Sequence, residues 1–354
     1  MTRRNGMTLV EVLVAIFIMA VGLLALLTLF PLGILRIAQA LRDERTTQSA
    51  LNAQAISIVQ DIRNDPLVMS DIPTGGTNPD FFANPLPGTL SPADPYGESY
   101  PIFVDPIGYN GTPAGPAQDW IGGVPPAFGG TIRRRPVQFT TIPPGTNPQN
   151  IYKNFTLWDD IAFNGTLDLD PTLPLPGTPQ LVGLTVLRET RFSWAYLLRR
   201  PQTSDRSIVD CSIVVFDQRP LALTGQLQLE ENVYPNTSYF NPTNNTIAID
   251  YTNRVPPPLR AGDWILDSSL NDSTGNTTLN TTPSAHAYFY RVVATEELVV
   301  AGRTIARYEV QNPIRAFKDP AKVAMTDPQF GYKGTAIVIR GIAEVFEKGP
   351  VRLP

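Results

Sequence analysis

The sequence predicts an α+β fold, in which a long N-terminal helix precedes a Pro/Gly-rich region and an antiparallel β-rich head. The helix is indicated by Val12–Leu35, a run of 24 residues without a charged side chain. The 354 residues also include 35 prolines and 26 glycines, and only 17% are charged, which is typical of loop-rich β proteins. Alternating apolar runs in the C-terminal half predict the strands of the head. The chain is long enough for more than one domain.

The apolar run is long enough to cross a membrane. As a helix it would span roughly 36 Å, against about 30 Å for the hydrocarbon core of a bilayer. Arg3 and Arg4 precede it and predict a cytoplasmic N-terminus. A secretory signal would have a shorter apolar region with a small-residue cleavage site after it. We therefore predict the transmembrane half of the helix at residues 7–35, with a single-pass anchor as the simplest interpretation.

The helical pattern continues beyond the apolar run, at residues 36–64. Apolar residues recur there at spacings of three and four, or their sums, and form one stripe. The stripe consists of Ile34, Ala38, Leu41, Leu51, Ala55, Ile58 and Ile62. Pro66 disfavours α geometry in the residue before it, so the helix should end near Asn64. Pro31 and Gly33 are predicted to kink the helix or to melt it locally.

Glu11 lies close to the start of the apolar run. A carboxylate in a bilayer costs on the order of 2–3 kcal/mol on insertion scales, which usually marks a functional role. The chain has no Lys or Arg between Glu11 and Arg36 that could serve as a partner in the same apolar layer. Cleavage between Gly6 and Met7 would create an α-amino group, which a neighbouring chain could offer to this carboxylate.

The stretch GMTLVEVLVAI resembles the class III signal of type IV pilins and type II secretion pseudopilins. That signal has a short basic leader, a glycine, an apolar first mature residue, Thr-Leu and a glutamate. The longer stretch EVLVAIFIMAVGLLAL is most similar to minor pilins of the PilV kind or to minor pseudopilins of the I class. The resemblance implies a leader at residues 1–6, cleavage between Gly6 and Met7, N-methylation of Met7, and a role for Glu11 in subunit assembly.

The same resemblance implies partners and a location. The partners are the prepilin peptidase, other pilins or pseudopilins, an inner-membrane assembly platform and membrane lipid. The protein would sit in the bacterial inner membrane with a periplasmic head, and then enter a pilus or a pseudopilus. The large head disfavours dense packing, so we expect a minor subunit at low copy. The alternative is a single-pass, inner-membrane-anchored, β-rich binding protein that does not polymerise.

Residues 65–179 form the Pro/Gly-rich region. Between Pro66 and Pro179 there are 21 prolines and 14 glycines, which prevent long helices and central strands. Short apolar pieces at Tyr100–Val104, Val137–Ile142 and Phe155–Ile161 predict small strands in an ordered loop region packed on the β domain.

Residues 180–220 predict an antiparallel hairpin. The runs RFSWAYLLRR and SIVDCSIVVFDQR are joined by PQTSD, which is a suitable turn. Alternation puts Val209, Cys211, Ile213 and Val215 on one face of the second strand, and Ile208, Val214 and Phe216 on the other. Cys211 is therefore predicted to be a buried, small apolar residue rather than a nucleophile.

Residues 221–354 predict a second β unit, either a small barrel or a sandwich appended to the hairpin sheet. Its candidate strands are Thr246–Tyr251, Asp263–Leu266, Ala287–Ala294, Arg307–Val310, Thr335–Arg340 and Ala343–Phe346.

The sequence offers no convincing catalytic or cofactor site, so we expect neither an enzyme nor a cofactor. One cysteine and one histidine, His286, exclude an intrachain disulfide and a Cys/His metal cluster. Asp159–Asp160 and Asp168–Asp170 are interpreted as solvated loop carboxylates rather than Ca²⁺ ligands. Arg133–Arg135 is interpreted as a solvated turn, since a net charge of −4 does not favour nucleic acid as a partner.

Overall fold

A computed structural model describes about half of the chain with its side chains. The described residues are 9–65, 101–105, 121, 132–135, 155–157, 161–163, 186–188, 191–199, 208–219, 231–269, 287–315 and 325–352. Within α1, the side chains of residues 25, 26, 28, 29 and 32 are not described. The chain divides into two compact units, Met1–Gln48 and Ser49–Pro354.

The described elements are one long α-helix, one 3₁₀ turn and thirteen strands. They are α1 (Leu9–Val59), the 3₁₀ turn Ile62–Asn64, β1 (Ile102–Val104), β2 (Arg133–Arg135), β3 (Ile161–Phe163), β4 (Val186–Arg188), β5 (Phe192–Arg199), β6 (Ile208–Asp217), β7 (Glu231–Asn241), β8 (Thr246–Asp250), β9 (Trp264–Asp267), β10 (Tyr288–Val300), β11 (Arg303–Val310), β12 (Tyr332–Ile339) and β13 (Ile342–Arg352). A helix with an antiparallel β-rich head confirms the predicted α+β class.

The α1 helix ends earlier than the sequence predicts. Its last α-helical residue is Val59, and the chain reaches Asn64 through the 3₁₀ turn. Asp61 adopts the left-handed conformation (φ 46°), which stops the α ladder before that turn. Asp65 is extended, as expected for the residue before a proline.

The helix is also unbroken where local melting was predicted. Pro31 lies inside α1, and both Pro31 and Gly33 have helical geometry, so the helix is not melted here, whereas the predicted alternative of a kink stays a prediction. A proline removes a single backbone donor, and its cost is of order 3 kcal/mol. The uninterrupted turns on both sides propagate at no further nucleation cost, which favours a continuous helix.

A five-stranded sheet forms the centre of the second unit, in the strand order β13-β6-β5-β1-β2. The β5 and β6 strands pair antiparallel from Phe192↔Asp217 to Arg199↔Asp210, which confirms the predicted hairpin. The β1 strand pairs antiparallel with β5, and β2 runs parallel to β1. A separate pair, β3 with β4, is antiparallel.

One face of this sheet packs against the end of α1. The contact is a single buried apolar cluster to which the helix contributes Ala50 and Ala53, with Ile62 from the turn. The sheet and its flanking residues contribute Ile102, Val104, Phe155, Leu157, Phe192, Trp194, Tyr196, Leu198, Val209, Cys211, Ile213 and Val215.

The next strands form a closed six-stranded barrel with all neighbours antiparallel, in the order β10-β11-β8-β7-β12-β9. Its own apolar cluster is rich in aromatic rings and includes Tyr234, Phe240, Tyr288, Tyr290, Tyr308 and Tyr332. The barrel packs on the other face of the five-stranded sheet, where Phe103, Leu197, Val214 and Phe216 meet Trp264, Leu266, Phe289 and Ile337 in one buried cluster. The sheet therefore lies between the end of α1 and the barrel.

Two strands differ from the sequence prediction. The last candidate strand was placed with the C-terminal unit, but β13 leaves the barrel and pairs with β6, from Ile342↔Phe216 to Arg352↔Ile208. The barrel is instead completed by β7, which the sequence did not indicate because Pro235 lies inside it. The register shifts between Gly334 and Ala336 of the facing strand, which accommodates the proline in a bulge.

Most of the Pro/Gly-rich region lies outside the described residues, so the prediction of an ordered loop stays a prediction. The predicted strand at Tyr100–Val104 corresponds to β1, and Thr156 forms an isolated bridge with Ser193. The predicted strand at Val137–Ile142 lies outside the described residues.

Candidate functional site

The described end of α1 has two contrasting faces. The buried positions of this face carry the small residues Ser49, Ala50, Ala53 and Ser57, and the partly buried Ile56 packs against the same cluster. Their spacings of one, three and four residues place them on one side of the helix. Small side chains at the buried positions leave room for the helix axis to approach the sheet, and Ile56 adds one larger apolar side chain to the contact.

The opposite face carries large apolar side chains that are exposed. Leu51 is 57% exposed and Ile58 is 69% exposed, and Leu41 continues the same stripe towards the N-terminus. The predicted stripe is therefore present, and from Leu51 to Ile58 it is exposed rather than packed on the sheet, whereas Ile62 is fully buried. A run of exposed large apolar residues on one helix face is typical of a surface that binds another protein or a membrane.

The helix is held to the sheet by a buried chain of hydrogen bonds. The Tyr196 hydroxyl donates to the Ala53 carbonyl oxygen at 2.7 Å, and the Trp194 Nε1–H donates to the Tyr196 hydroxyl at 3.1 Å. Burial raises the pKa of the Tyr196 phenol well above its usual value, so the hydroxyl keeps its proton. This bond fixes the axial position of the helix on β5.

Cys211 lies under the same contact. Its side chain is buried in the helix-facing cluster, as predicted. Burial raises the pKa of the thiol, with smaller opposing effects from Arg63 and Lys348, so the thiol is held in its unreactive form.

Glu11 lies in the first turn of α1, and its side chain is exposed. Gly6 and Met7, the predicted cleavage and methylation residues, lie outside the described residues.

Within the described part of the chain, no helix is long and apolar enough to span a bilayer.

A buried ion cluster joins the five-stranded sheet to the barrel. The Arg219 guanidinium binds both carboxylate oxygens of Asp105, at 2.9 and 2.8 Å, and Arg134 Nε donates to Asp105 at 3.1 Å. The other side of Arg134 pairs with Glu231, the first residue of β7. All four side chains are at most 5% exposed. Their formal charges balance, which makes the burial of four ions affordable.

This cluster corrects the interpretation of Arg133–Arg135 as a solvated turn. The triplet forms β2, and the Arg134 side chain is buried against Asp105 and Glu231. The sequence gave no indication of it, because Glu231 lies 97 residues away along the chain.

The other candidate ligands remain predictions. His286, Asp159–Asp160 and Asp168–Asp170 lie outside the described residues. Among the residues that the structure describes, no group of three His, Cys, Asp or Glu side chains is placed to hold a metal ion.

Comparison with protein families gives a match at the N-terminus of the chain. A family model described as the prokaryotic N-terminal methylation motif matches residues 1–27. This motif is the class III prepilin signal that type IV pilins and pseudopilins carry. Comparison with curated proteins and with solved structures finds no match.

Proposed function

We propose that this protein is a minor pilin or pseudopilin, a structural subunit without catalytic activity. Prepilin peptidase would cleave it after Gly6, and the new terminus at Met7 would be N-methylated. The mature chain would then enter a type IV pilus or a type II secretion pseudopilus at low copy, through α1. The methylation motif at residues 1–27 supports the processing steps.

The observation that carries assembly through α1 is the exposed apolar stripe. Leu51 and Ile58 stand on a helix whose other face is already packed on its own sheet. Burying such side chains against a partner is favourable by about 25 cal/mol per Å² of apolar surface. The stripe would therefore pack against the helices of neighbouring subunits. The opposite, small-residue face would stay packed on the sheet of the same chain.

Glu11 is proposed to set the register of that packing. Its carboxylate would pair with the methylated amine of Met7 in a neighbouring subunit, within an apolar layer. A desolvated ion pair adds little net stability, but leaving either partner alone costs several kcal/mol. The pair would therefore select one stagger between subunits rather than strengthen every stagger.

The minor role is inferred from the size and position of the head. The barrel packs on the face of the sheet opposite the end of α1, so it enlarges the head and leaves the helix stripe uncovered. A bulky head at every position of a filament would crowd its neighbours, which favours a tip or priming position. The proposal covers a pilus and a pseudopilus alike.

Before assembly, the protein would be anchored in the bacterial inner membrane with its N-terminus in the cytoplasm and its head in the periplasm. The uncharged run Val12–Leu35 and the preceding Arg3 and Arg4 support this orientation. The assembly platform of the same membrane and its lipid are the expected contacts at this stage.

Mass spectrometry of the mature N-terminus tests the processing step. The expected terminus is N-methylated Met7, and it should revert to Met1 in cells that lack the peptidase. An intact Met1 in normal cells would contradict the proposal. It would favour the alternative of an anchored β-rich binding protein that does not polymerise.

Replacement of Glu11 tests the assembly step. We expect Glu11→Val to be cleaved normally but to lose most of its incorporation, measured by immunoblot of sheared filaments against whole cells. Glu44→Val is the matched control, because Glu44 is an exposed acid on the same helix that bonds only weakly, at 3.3 Å, to Gln48. Equal incorporation of the two variants would exclude a special role for Glu11.

A further inference from the structure

The β10 strand is much longer than one of its two neighbours. The β11 strand pairs with it as far as Val300, but β9 pairs only with Tyr288–Arg291. The chain turns away before β9, where the Asp263 N–H donates to the Arg260 carbonyl oxygen at 3.0 Å. Beyond Val292, no described strand therefore lies on the side of β10 away from β11.

The register shows which backbone groups face that open side. On β11, Thr304 accepts from Tyr251 and Val310 donates to Asn245, so these even-numbered residues point towards β8. The backbone N–H and C=O groups of the odd-numbered β11 residues therefore point towards β10. Each of these residues exchanges both backbone hydrogen bonds with the β10 residue directly opposite it. Alternation leaves the N–H and C=O groups of Thr295, Glu297 and Val299 directed away from β11.

The side chains of this segment are exposed on both faces of the strand. Val293 is 51% exposed and Val299 is 76% exposed, and the four residues between Val293 and Leu298 are exposed as well. The segment from Val293 to Val300 is about 27 Å long at the usual rise of a strand. No described residue pairs with this edge, and a strand edge of this length is a template for pairing with another chain.

A second copy of the same edge is disfavoured as the partner. The segment VVATEELVV has Glu296 and Glu297 at its centre and valines at both ends. An antiparallel copy centred there would place glutamate opposite glutamate, and like charges directly opposite each other are destabilising. Glu296 pairs with Arg307 and Glu297 accepts from Tyr251, which is neutral and leaves the charge of Glu297 in place.

We propose that the edge Val293–Val300 binds an extended basic segment of a partner protein by β-strand addition. Backbone hydrogen bonds to Thr295, Glu297 and Val299 would supply affinity. A Lys or Arg opposite the two glutamates, flanked by β-branched residues opposite the valines, would supply specificity. The edge belongs to the barrel, on the opposite side of the sheet from α1, so this binding goes beyond the proposed function and does not depend on filament assembly.

Labelled peptides test this with the full-length protein in detergent micelles. The probes are TVTKKVTV and TVTEEVTV, which differ only in their two central charges, and binding is followed by fluorescence anisotropy. We expect the lysine peptide to bind about tenfold more tightly than the glutamate peptide. It should also slow hydrogen exchange at the amides of Thr295, Glu297 and Val299. Equal binding of the two peptides, or unchanged exchange, would overturn the proposal.

Two variants separate strand addition from general charge attraction. Val299→Pro removes a donor that faces the open edge and should weaken the lysine peptide at least about tenfold, because proline cannot donate to a ladder. Glu297→Lys should shift the binding preference towards the glutamate peptide. This variant still tests the proposal if the proline variant does not fold. If Glu297→Lys leaves the preference between the two peptides unchanged, the proposal is contradicted. It is also contradicted if the wild-type protein forms dimers in which the β10 amides are protected from exchange without any peptide.

Discussion

The two faces of the five-stranded sheet make contacts of different kinds. On the helix side, α1 contributes Ala50 and Ala53 to an apolar cluster, and one hydrogen bond from Tyr196 fixes its position. On the barrel side, large side chains from both partners interdigitate, and a buried ion cluster around Asp105 closes the junction. The fully buried residues of α1 in its contact are two alanines, with Ile56 partly buried beside them, whereas the barrel contact buries large side chains from both sides.

The difference shows how one sheet can hold a helix and a barrel by different interactions. The helix keeps its large apolar residues, such as Leu51 and Ile58, available for another chain. The barrel is fixed to the sheet by charges that must all be paired, and misplacing it would leave at least one ion buried alone. The barrel therefore behaves as part of the head rather than as a module on a linker, consistent with β13 returning to β6.

Breaking the ion cluster should have the largest effect on stability. Arg219→Met removes two hydrogen bonds to the buried Asp105 carboxylate and leaves the cluster with one guanidinium for two carboxylates. We expect a loss of about 3–5 kcal/mol in the free energy of unfolding. Urea unfolding of the full-length protein, followed by the fluorescence of its buried tryptophans, measures it.

The control for this variant is another Arg–Asp pair of the same sheet. Arg191 pairs with Asp217 at 3.0 Å, but its side chain is 43% exposed. Arg191→Met should cost no more than about 1 kcal/mol, because water screens the pair. Similar losses for the two variants would mean that burial of the cluster does not make it special.

Enlarging the packed face of the helix should have an intermediate effect. Ala53→Leu adds three carbons where the residue is fully buried and its carbonyl accepts from Tyr196, so overpacking should cost about 1–3 kcal/mol. The matched control is Ala55→Leu on the exposed side, where a change within about 0.5 kcal/mol is expected. The same urea titration compares them, and equal effects would refute the assignment of the two faces.

Removing the exposed stripe should have the smallest effect on stability and a large effect on assembly. Leu51→Ser with Ile58→Ser should change the free energy of unfolding by no more than about 1 kcal/mol, mostly through helix propensity. Incorporation into sheared filaments should fall by at least about tenfold. Val255→Ser is the control, because Val255 is equally exposed but lies in a loop beside the barrel. Unchanged incorporation of the helix variant would show that assembly does not require the stripe.

Several features were predictable because they depend on neighbouring residues. The methylation motif is a contiguous pattern around Gly6 and Glu11, and the family model recognises it in the same residues. The β5–β6 hairpin follows from two apolar runs and a polar turn, and the burial of Cys211 follows from alternation within β6. The α+β class follows from the order of these patterns.

Other features depend on residues far apart in the chain. Periodicity identified the apolar stripe of α1, but it could not say that the sheet would choose the small residues of the opposite face. Arg134 looked like a solvated charge until Asp105 and Glu231, which are distant in sequence, were placed beside it. Pro235 disfavours a strand at β7 when the sequence is read locally. The bulge that accommodates this proline forms only when β7 pairs with β12, which lies far away in the chain.

By itself, the sequence determined the N-terminal signal, the helix that continues from it and the β-rich character of the head, since each follows from local pattern. The tertiary structure alone decided which face of α1 is covered, where β13 pairs, which charges are buried and where the β10 edge is left open. The physical reason is that a pattern records which residues share a face, whereas burial depends on which distant chain segment reaches that face.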